Sequence, residues 1–439
     1  MQYIPNIIFV IILIAGIGYF AKNVRKLIRN IKLGKDVDRT DNKKERFNNM
    51  ARIALGQSKM VRRPIAGILH IIVYLGFIII NIEVLEIIID GIFGTHRIFA
   101  FLGGLYDFLI GSFEVLALLV LVSVFIFWIR RNVINIRRFK TLKGWPKNDG
   151  NIILYFEVVL MTLFLTMNAA DLQLQNLGAD HYVKAGAYPI SQFISPLFDG
   201  ISEGSLILLE RGAWWMHIIG ILIFLNYLYF SKHLHILLAF PNTYYGDLNP
   251  KGQMDNLEAV TNEVMLMMDP NADPFAAPAG DEPEGEPEKF GASDVTDLNW
   301  VQLLNSYTCT ECGRCTSECP ANQTGKKLSP RKIMMDTRDR LQEVGDNIDK
   351  NGSFVDDGKQ LLNDYITTEE LWACTSCNAC VEACPVSISP LSIILDMRRY
   401  LVMEQSAAPS DLNNMMSNIE NNGAPWPFNQ MDRLNWSQE

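Results

Sequence analysis

Hydrophobic positions gather into five long runs, at roughly 4–21, 65–89, 107–129, 151–170 and 213–231. Each is long enough to cross about 30 Å of hydrocarbon as a helix. After Pro241 the pattern changes to short amphipathic stretches. Ser329-Pro330-Arg331-Lys332-Ile333-Met334 and residues 392–399 have the apolar spacing and the opening Ser or Pro of helices in a water-soluble unit. Between the two patterns, Asp269-Pro270-Asn271-Ala272-Asp273-Pro274 and the Pro-rich acidic run 281–288 hold too little apolar surface to bury a core. The expectation is an all-α chain. A five-helix transmembrane bundle occupies 1–245, an acidic Pro-rich linker 246–292, an α-helical soluble domain 293–405 and a tail 406–439. The linker reads as a tether or a plain solvated spacer. The Met-rich stretch 254–268 before it has the pattern of a short amphipathic helix.

Charge orients the bundle. Residues 22–63 carry about fourteen Lys and Arg against about four acids, and 130–147 about seven with no acid. Basic loops stay on the cytoplasmic side. The N-terminus is therefore expected outside, the protein multi-pass in the cytoplasmic membrane, and everything after Pro241 cytoplasmic. The segment 171–211, with about two bases and five acids, faces outward, and its Pro189 and Pro196 stretches look like short interfacial helices. The first run has no basic flank before it and no small-residue cleavage site after it, so a retained anchor is expected. The composition of the 439 residues, 49% hydrophobic and 20% charged, is thus an average over two halves. A net charge of −9 leaves no basic footprint for nucleic acid.

Histidines in apolar helices often serve only as hydrogen-bonded residues, but their spacing adds information here. His217 and His235 are 18 positions apart. In one helix that is five turns, about 27 Å, on a single face. His233 falls about 160° away from His217. His70 lies about two turns after Arg62-Arg63-Pro64, at the depth of His235, so His70 and His235 are the expected axial pair of a b-type haem near the cytoplasmic side. His217 has no matching partner on the second helix, whose outer end carries Asn81, Glu83, Glu86 and Asp90. With His96 in the turn beyond, these residues mark either a second, outer haem or a quinone site.

Ser231-Lys232-His233-Leu234-His235-Ile236 at the end of the fifth run, with His70 as the first histidine, resembles the haem b membrane subunits of the respiratory nitrate reductase gamma type. Relatives of that family occur in membrane-bound heterodisulfide reductase and in complexes linked to dissimilatory sulfite reductase. The resemblance covers about residues 1–245. It implies two stacked haems passing electrons between a quinone, menaquinone or ubiquinone, near the outer face and iron–sulfur clusters inside. This chain departs in offering one His on the second helix where two-haem members offer two.

All eight Cys fall in two copies of one motif, Cys309-x2-Cys312-x2-Cys315-x3-Cys319-Pro320 and Cys374-x2-Cys377-x2-Cys380-x3-Cys384-Pro385. Three thiolates at this spacing wrap three corners of a cubane, while the fourth, before Pro, ligates the other cluster. The expected pair of [4Fe-4S] clusters uses Cys309, Cys312, Cys315 and Cys384, and Cys374, Cys377, Cys380 and Cys319. Zinc would need neither an evenly spaced third Cys nor a closing Cys-Pro. No thiol remains for further chemistry, no Gly-rich nucleotide fingerprint is present, and the domain reads as an electron relay. Phe290-Gly291, the stretch 298–307, Cys312-Gly313-Arg314-Cys315 and the stretch 418–426 resemble the ferredoxin module of heterodisulfide reductase catalytic subunits. There the module continues into Cys-Cys-Gly motifs, which are absent from this sequence. The resemblance therefore implies a separate Cys-Cys-Gly-type iron–sulfur subunit or a flavoprotein carrying the substrate site. It would dock near Trp426 and Trp436, unless those aromatics merely cover the ferredoxin domain.

The expected function is electron transfer between such a cytoplasmic partner and membrane quinone. Glu83, Glu86, Asp90 and His96 are candidate proton carriers. A quinol-oxidising subunit of a heterodisulfide- or sulfur-compound-reductase-like complex uses the same wiring in reverse. A membrane polyferredoxin for assembly or sensing uses it without turnover.

Overall fold

The computed structural model describes residues 3–250, 252–269 and 289–438. The acidic core of the linker, 270–288, lies outside them. Among the described residues the chain is all helix and turn, with no strand. Five helices are long and apolar enough to cross a membrane: α1 Ile4–Ile31, α2 Pro64–Phe93, α3 Gly104–Asn132, α4 Trp145–Leu177 and α5 Glu203–Tyr227, the last prolonged by a 3-10 turn to Phe230. Pro5, Pro64 and Pro146 sit in the first turns of α1, α2 and α4, where the missing N–H costs nothing.

The helices close into a ring: α1 packs on α2 and α5, α3 on α2 and α4, and α4 on α5. Small residues let these backbones approach. A Cβ at Gly76 would lie 2.5 Å from Val120, and one at Gly91 2.6 Å from the Phe9 ring. The bundle core runs through Phe9, Ile80, Ile110, Phe113, Val120, Phe164 and Ile218.

The fifth helix does not continue to His235. At Ser231 the backbone is extended, with φ −117° and ψ 147°. A 3-10 turn, Lys232–Leu234, and a new helix α6, His235–Tyr244, follow. The cause is local capping: Ser231 Oγ accepts the His233 N–H at 3.1 Å, and Asp149 accepts the Ser231 hydroxyl at 2.7 Å and the Lys232 N–H at 3.1 Å. His217 and His235 are thus not on one helix, which corrects the single-face expectation.

The cysteine domain is built on α7 Trp300–Thr308, α8 Arg314–Glu318, α9 Pro330–Asn351, α10 Ala379–Ala383 and α11 Pro390–Arg399. Asn299 and Gln302 form a capping box on α7, and Ser329 and Ser389 cap α9 and α11. A helix also forms over Glu258–Met268, and another, exposed, over Ser410–Asn422. The domain is docked on the bundle. The last turns of α1 pack against α7 and α9, and one hydrophobic core joins Leu27, Ile153, Phe224 and Leu234 of the bundle to Leu303, Tyr307, Ile333 and Leu341. Lys35 and Leu298 share a backbone hydrogen bond of 2.8 Å, and the Trp300 indole donates to the Val37 carbonyl at 3.0 Å.

Candidate functional site

The eight thiols are free and fall into two groups. Cys309 follows α7, Cys315 lies on α8 and Cys380 on α10, while Cys319 and Cys384 end α8 and α10. Since α8 packs against α10, each fourth Cys is carried toward the opposite trio. Cys309, Cys312, Cys315 and Cys384 line one cavity, closed by Met334, Val386 and Ile388. Burial pushes the Cys309 thiol up to about 12 and that of Cys384 to about 11, and the charge of Cys312 adds to both. In the other group burial pushes Cys380 up to about 12, with Cys374, Cys319 and Cys377 adding their charges. Cys377 alone among the eight is exposed. It opens onto a cleft shared with Arg39, Arg52, Asp255 and Glu382.

Both motif loops use the same backbone device. Glu311 and Gly313 have φ of +54° and +71°, and Ser376 and Asn378 +54° and +61°. Left-handed residues turn successive N–H groups inward, which suits an anion. The Ser376 N–H points at Cys374 Sγ at 3.4 Å. Among the described residues no three His, Cys, Asp or Glu groups are gathered tightly enough for a single metal ion. The four thiols around the first cavity could hold a thiolate-bound metal group.

The rings of His70 on α2 and His235 at the start of α6 lie 6.4 Å apart between centroids, inclined by 43°. Two metal–nitrogen bonds of about 2 Å, each followed by about 1 Å to a ring centre, require a separation of about 6 Å. His235 Nδ1 lies 3.0 Å from the Lys232 carbonyl, which selects the tautomer with Nε2 free to ligate. His70 Nδ1 is buried without a partner. His233, set aside on helical phase, stands edge-on to His235 at 5.4 Å and against Phe224 at 5.3 Å. His217 is buried with Nδ1 3.1 Å from the Leu160 carbonyl and its ring beside Phe164. Among the described residues no second imidazole packs on it. His96 is drawn instead to Asp171 at 3.6 Å and Tyr182 at 4.9 Å.

The outer end holds a buried polar network. Glu86 accepts the Phe99 N–H and the Tyr106 hydroxyl, each at 2.9 Å. Asp90 accepts the Thr95 hydroxyl at 2.5 Å and the Arg97 N–H at 2.7 Å. Glu83 is buried, and its Oε2 meets no partner. Arg97 joins these groups by donating to Asp171 at 2.6 Å, Asn168 at 3.0 Å and Tyr106 at 3.1 Å. Glu114 accepts the N–H groups of Ile190 and Ser191 at 2.9 and 3.0 Å, pinning the outer segment over the bundle. Arg97, Glu114, Asn168 and Asp171 are absent from the sequence-based candidates. The signal that could have found them is their position within or beside apolar helices. Burial holds the His96 imidazole down to about 4, against the opposing charge of Asp171.

The loop that leads into His235 is tied to the first cysteine loop. Lys232, between Ser231 and His233, pairs with Glu311 of the first motif loop at 2.5 Å, and Arg338 of α9 takes the other carboxylate oxygen at 2.7 Å. Arg314 donates to the carbonyls of Lys59 and Met60 at 3.1 and 3.3 Å, just before α2.

The family model for a 4Fe-4S dicluster domain matches residues 308–388. The chain is 28% identical to the probable iron-sulfur-binding oxidoreductase FadF of Bacillus subtilis over 99% of its own length and 61% of the relative's. It is 26% identical to the EtfAB:quinone oxidoreductase of Syntrophomonas wolfei over 92% of its length and 55% of the relative's. With one subunit of the ferredoxin/F(420)H(2)-dependent CoB-CoM heterodisulfide reductase of Methanosarcina acetivorans it shares 36% identity, over 27% of this chain and 60% of that one. The chain thus spans little more than half the length of the first two relatives. No solved structure matches it. A 4Fe-4S domain joined to five membrane-crossing helices, with relatives among iron–sulfur oxidoreductases, supports an iron–sulfur electron-transfer role.

Proposed function

We propose that the chain is a membrane-bound electron-transfer subunit working between a cytoplasmic flavin or iron–sulfur partner and membrane quinone. Two [4Fe-4S] clusters are assigned to Cys309, Cys312, Cys315 and Cys384, and to Cys374, Cys377, Cys380 and Cys319. A b-type haem is assigned to His70 and His235, in a domain of the nitrate reductase gamma type. When bound, these groups supply one-electron chemistry that side chains lack. The observation that carries this reading is the histidine pair, spaced for one metal and clamped through Lys232 and Glu311 to the first cysteine loop.

The residues divide the remaining work. Lys232 fixes the His235 tautomer through its carbonyl and the distance between the halves through its ammonium. Cys377, exposed beside the cleft, is where the partner approaches. The tail aromatics Trp426 and Trp436, 44% and 75% exposed, offer it apolar surface. Quinone is assigned to the outer end, where Glu83 is a buried carboxyl with an unpartnered oxygen beside Glu86 and, across the network, Asp90 and His96. The basic loops support a reading with the cysteine domain in the cytoplasm and the N-terminus outside.

Dithionite-reduced minus oxidised spectra of the purified protein test the assignment. A b-type band is expected in the wild type and in His233→Phe, and none in His70→Phe or His235→Phe. A wild-type protein without the band, or one that keeps it in both axial variants, would sink the haem assignment.

A further inference from the structure

The loop between α3 and α4 belongs to the membrane half, yet it touches the first cysteine loop. A Cβ on Gly313 would lie 3.4 Å from Cβ of Arg138. Arg331, which lines the cysteine cavity, donates to the Arg138 carbonyl at 2.8 Å. The Arg138 guanidinium rests over the Phe139 ring at 5.0 Å, and its Nε and Nη1 are buried without any hydrogen-bond partner. The charges that act on it most are those of Cys312, which favours the cation, and of Arg63, Arg314 and Arg130, which oppose it. Arg63 already has Glu318 at 2.7 Å, and Arg314 has its hydrogen bonds met by the Lys59 and Met60 carbonyls, though it keeps its charge. A half-buried guanidinium among cations, with Nε and Nη1 buried and unpaired, is costly unless an anion stands beside it. The negative group at hand is the first cysteine tetrad.

We propose that Arg138 is the counter-charge of the cluster held by Cys309, Cys312, Cys315 and Cys384, so that the membrane half sets the reduction potential of the ferredoxin half. This rests on the cluster assignment above. Reduction adds one electron from the reductant and takes up no proton, so the site becomes one unit more negative. A fixed cation nearby favours that reduced form, and its removal lowers the potential. The second tetrad is served from within its own domain. Arg398 lies over the Trp372 ring at 4.9 Å and donates to the carbonyls of Leu371 and Cys374, at 2.6 and 2.5 Å. Basic residues kept in this loop by the positive-inside bias thus include one that acts on redox chemistry.

The test is an EPR-monitored redox titration of the full chain in detergent, with dithionite as reductant. Arg138→Gln and Arg138→Met are expected to make reduction of one cluster about tenfold less favourable, a shift of about 59 mV for one electron, and to leave the other midpoint in place. Arg138→Lys keeps most of the wild-type value, and Arg398→Gln moves the other midpoint. The proposal is overturned if both charge-removing variants leave the two midpoints unchanged, move the one that Arg398→Gln moves, or lose the cluster altogether. A wild-type protein without cluster signals would instead remove the cluster assignment beneath it.

Discussion

Lys232 and Glu311 form an ion pair of 2.5 Å with only 9% and 3% of their side chains exposed, and it joins the histidine loop of the membrane bundle to the first cysteine loop. Neither half of the chain places these charges alone. Burial lowers the Lys232 ammonium more than its partners raise it. Burial would raise the Glu311 carboxyl, but Lys232 and Arg338 together hold it below the usual range. The pair therefore stands on Glu311 having two cations.

Breaking a buried pair strands the other charge, at a cost of about 3–5 kcal/mol. Glu311→Ala is expected to lower the thermal midpoint of the detergent-solubilised protein by several degrees and to weaken the b-type band, with Glu311→Asp intermediate. The folded-state value of Glu311 is depressed, so its contribution is complete above the ordinary carboxyl value of about 4.3 and fades as pH falls below it. Thermal melts between pH 3 and pH 7 should show that acid loss in the wild type and less of it in Glu311→Ala.

Each fourth Cys sits across from its own motif, so Cys384→Ser and Cys319→Ser should remove different clusters. Iron and acid-labile sulfide are expected to fall by about half in each. The cluster lost in Cys384→Ser is the one that responds to Arg138→Gln. Loss of the same signal in both variants would show that the motifs are not crossed.

Arg97 and Asp171 are 7% and 1% exposed and tie the α2–α3 turn to α4. Asp171→Asn leaves the guanidinium buried with a neutral partner, and about 3–5 kcal/mol of stability should go with it. Glu83→Gln removes no observed hydrogen bond from Oε2 and is expected to change the melting temperature little. If Glu83 carries protons, the same variant slows quinol-dependent haem reduction. A rate equal to wild type would discard that role.

His96 binds its proton less readily in the fold than in the unfolded chain, about 4 against about 6.5. Between these values the unfolded state holds more protons, so stability rises with pH across that window. His96→Gln should flatten the rise, read as the slope of melting temperature between pH 4 and 6.5. An unchanged slope would place the dependence on another group.

The all-α class and the five membrane-crossing helices were legible in the sequence, because hydropathy and helical period are local properties that survive any packing. The repeated Cys motif was legible for the same reason: ligand spacing within one loop depends on only a few bonds. Helical phase fails at Ser231, where the Ser231 and Asp149 hydrogen bonds override the apolar pattern. What only the tertiary structure decided lies between segments remote in sequence. It brings Lys232 to Glu311, Arg138 to the Cys312 loop, and Arg97 to Asp171. These are single charged side chains with no periodicity, and each becomes significant only when packing withdraws it from water beside a group of opposite charge. The linker suggests a tether, yet the cysteine domain is fastened to the bundle by a shared core and a buried ion pair, which form through space and leave no trace in local composition.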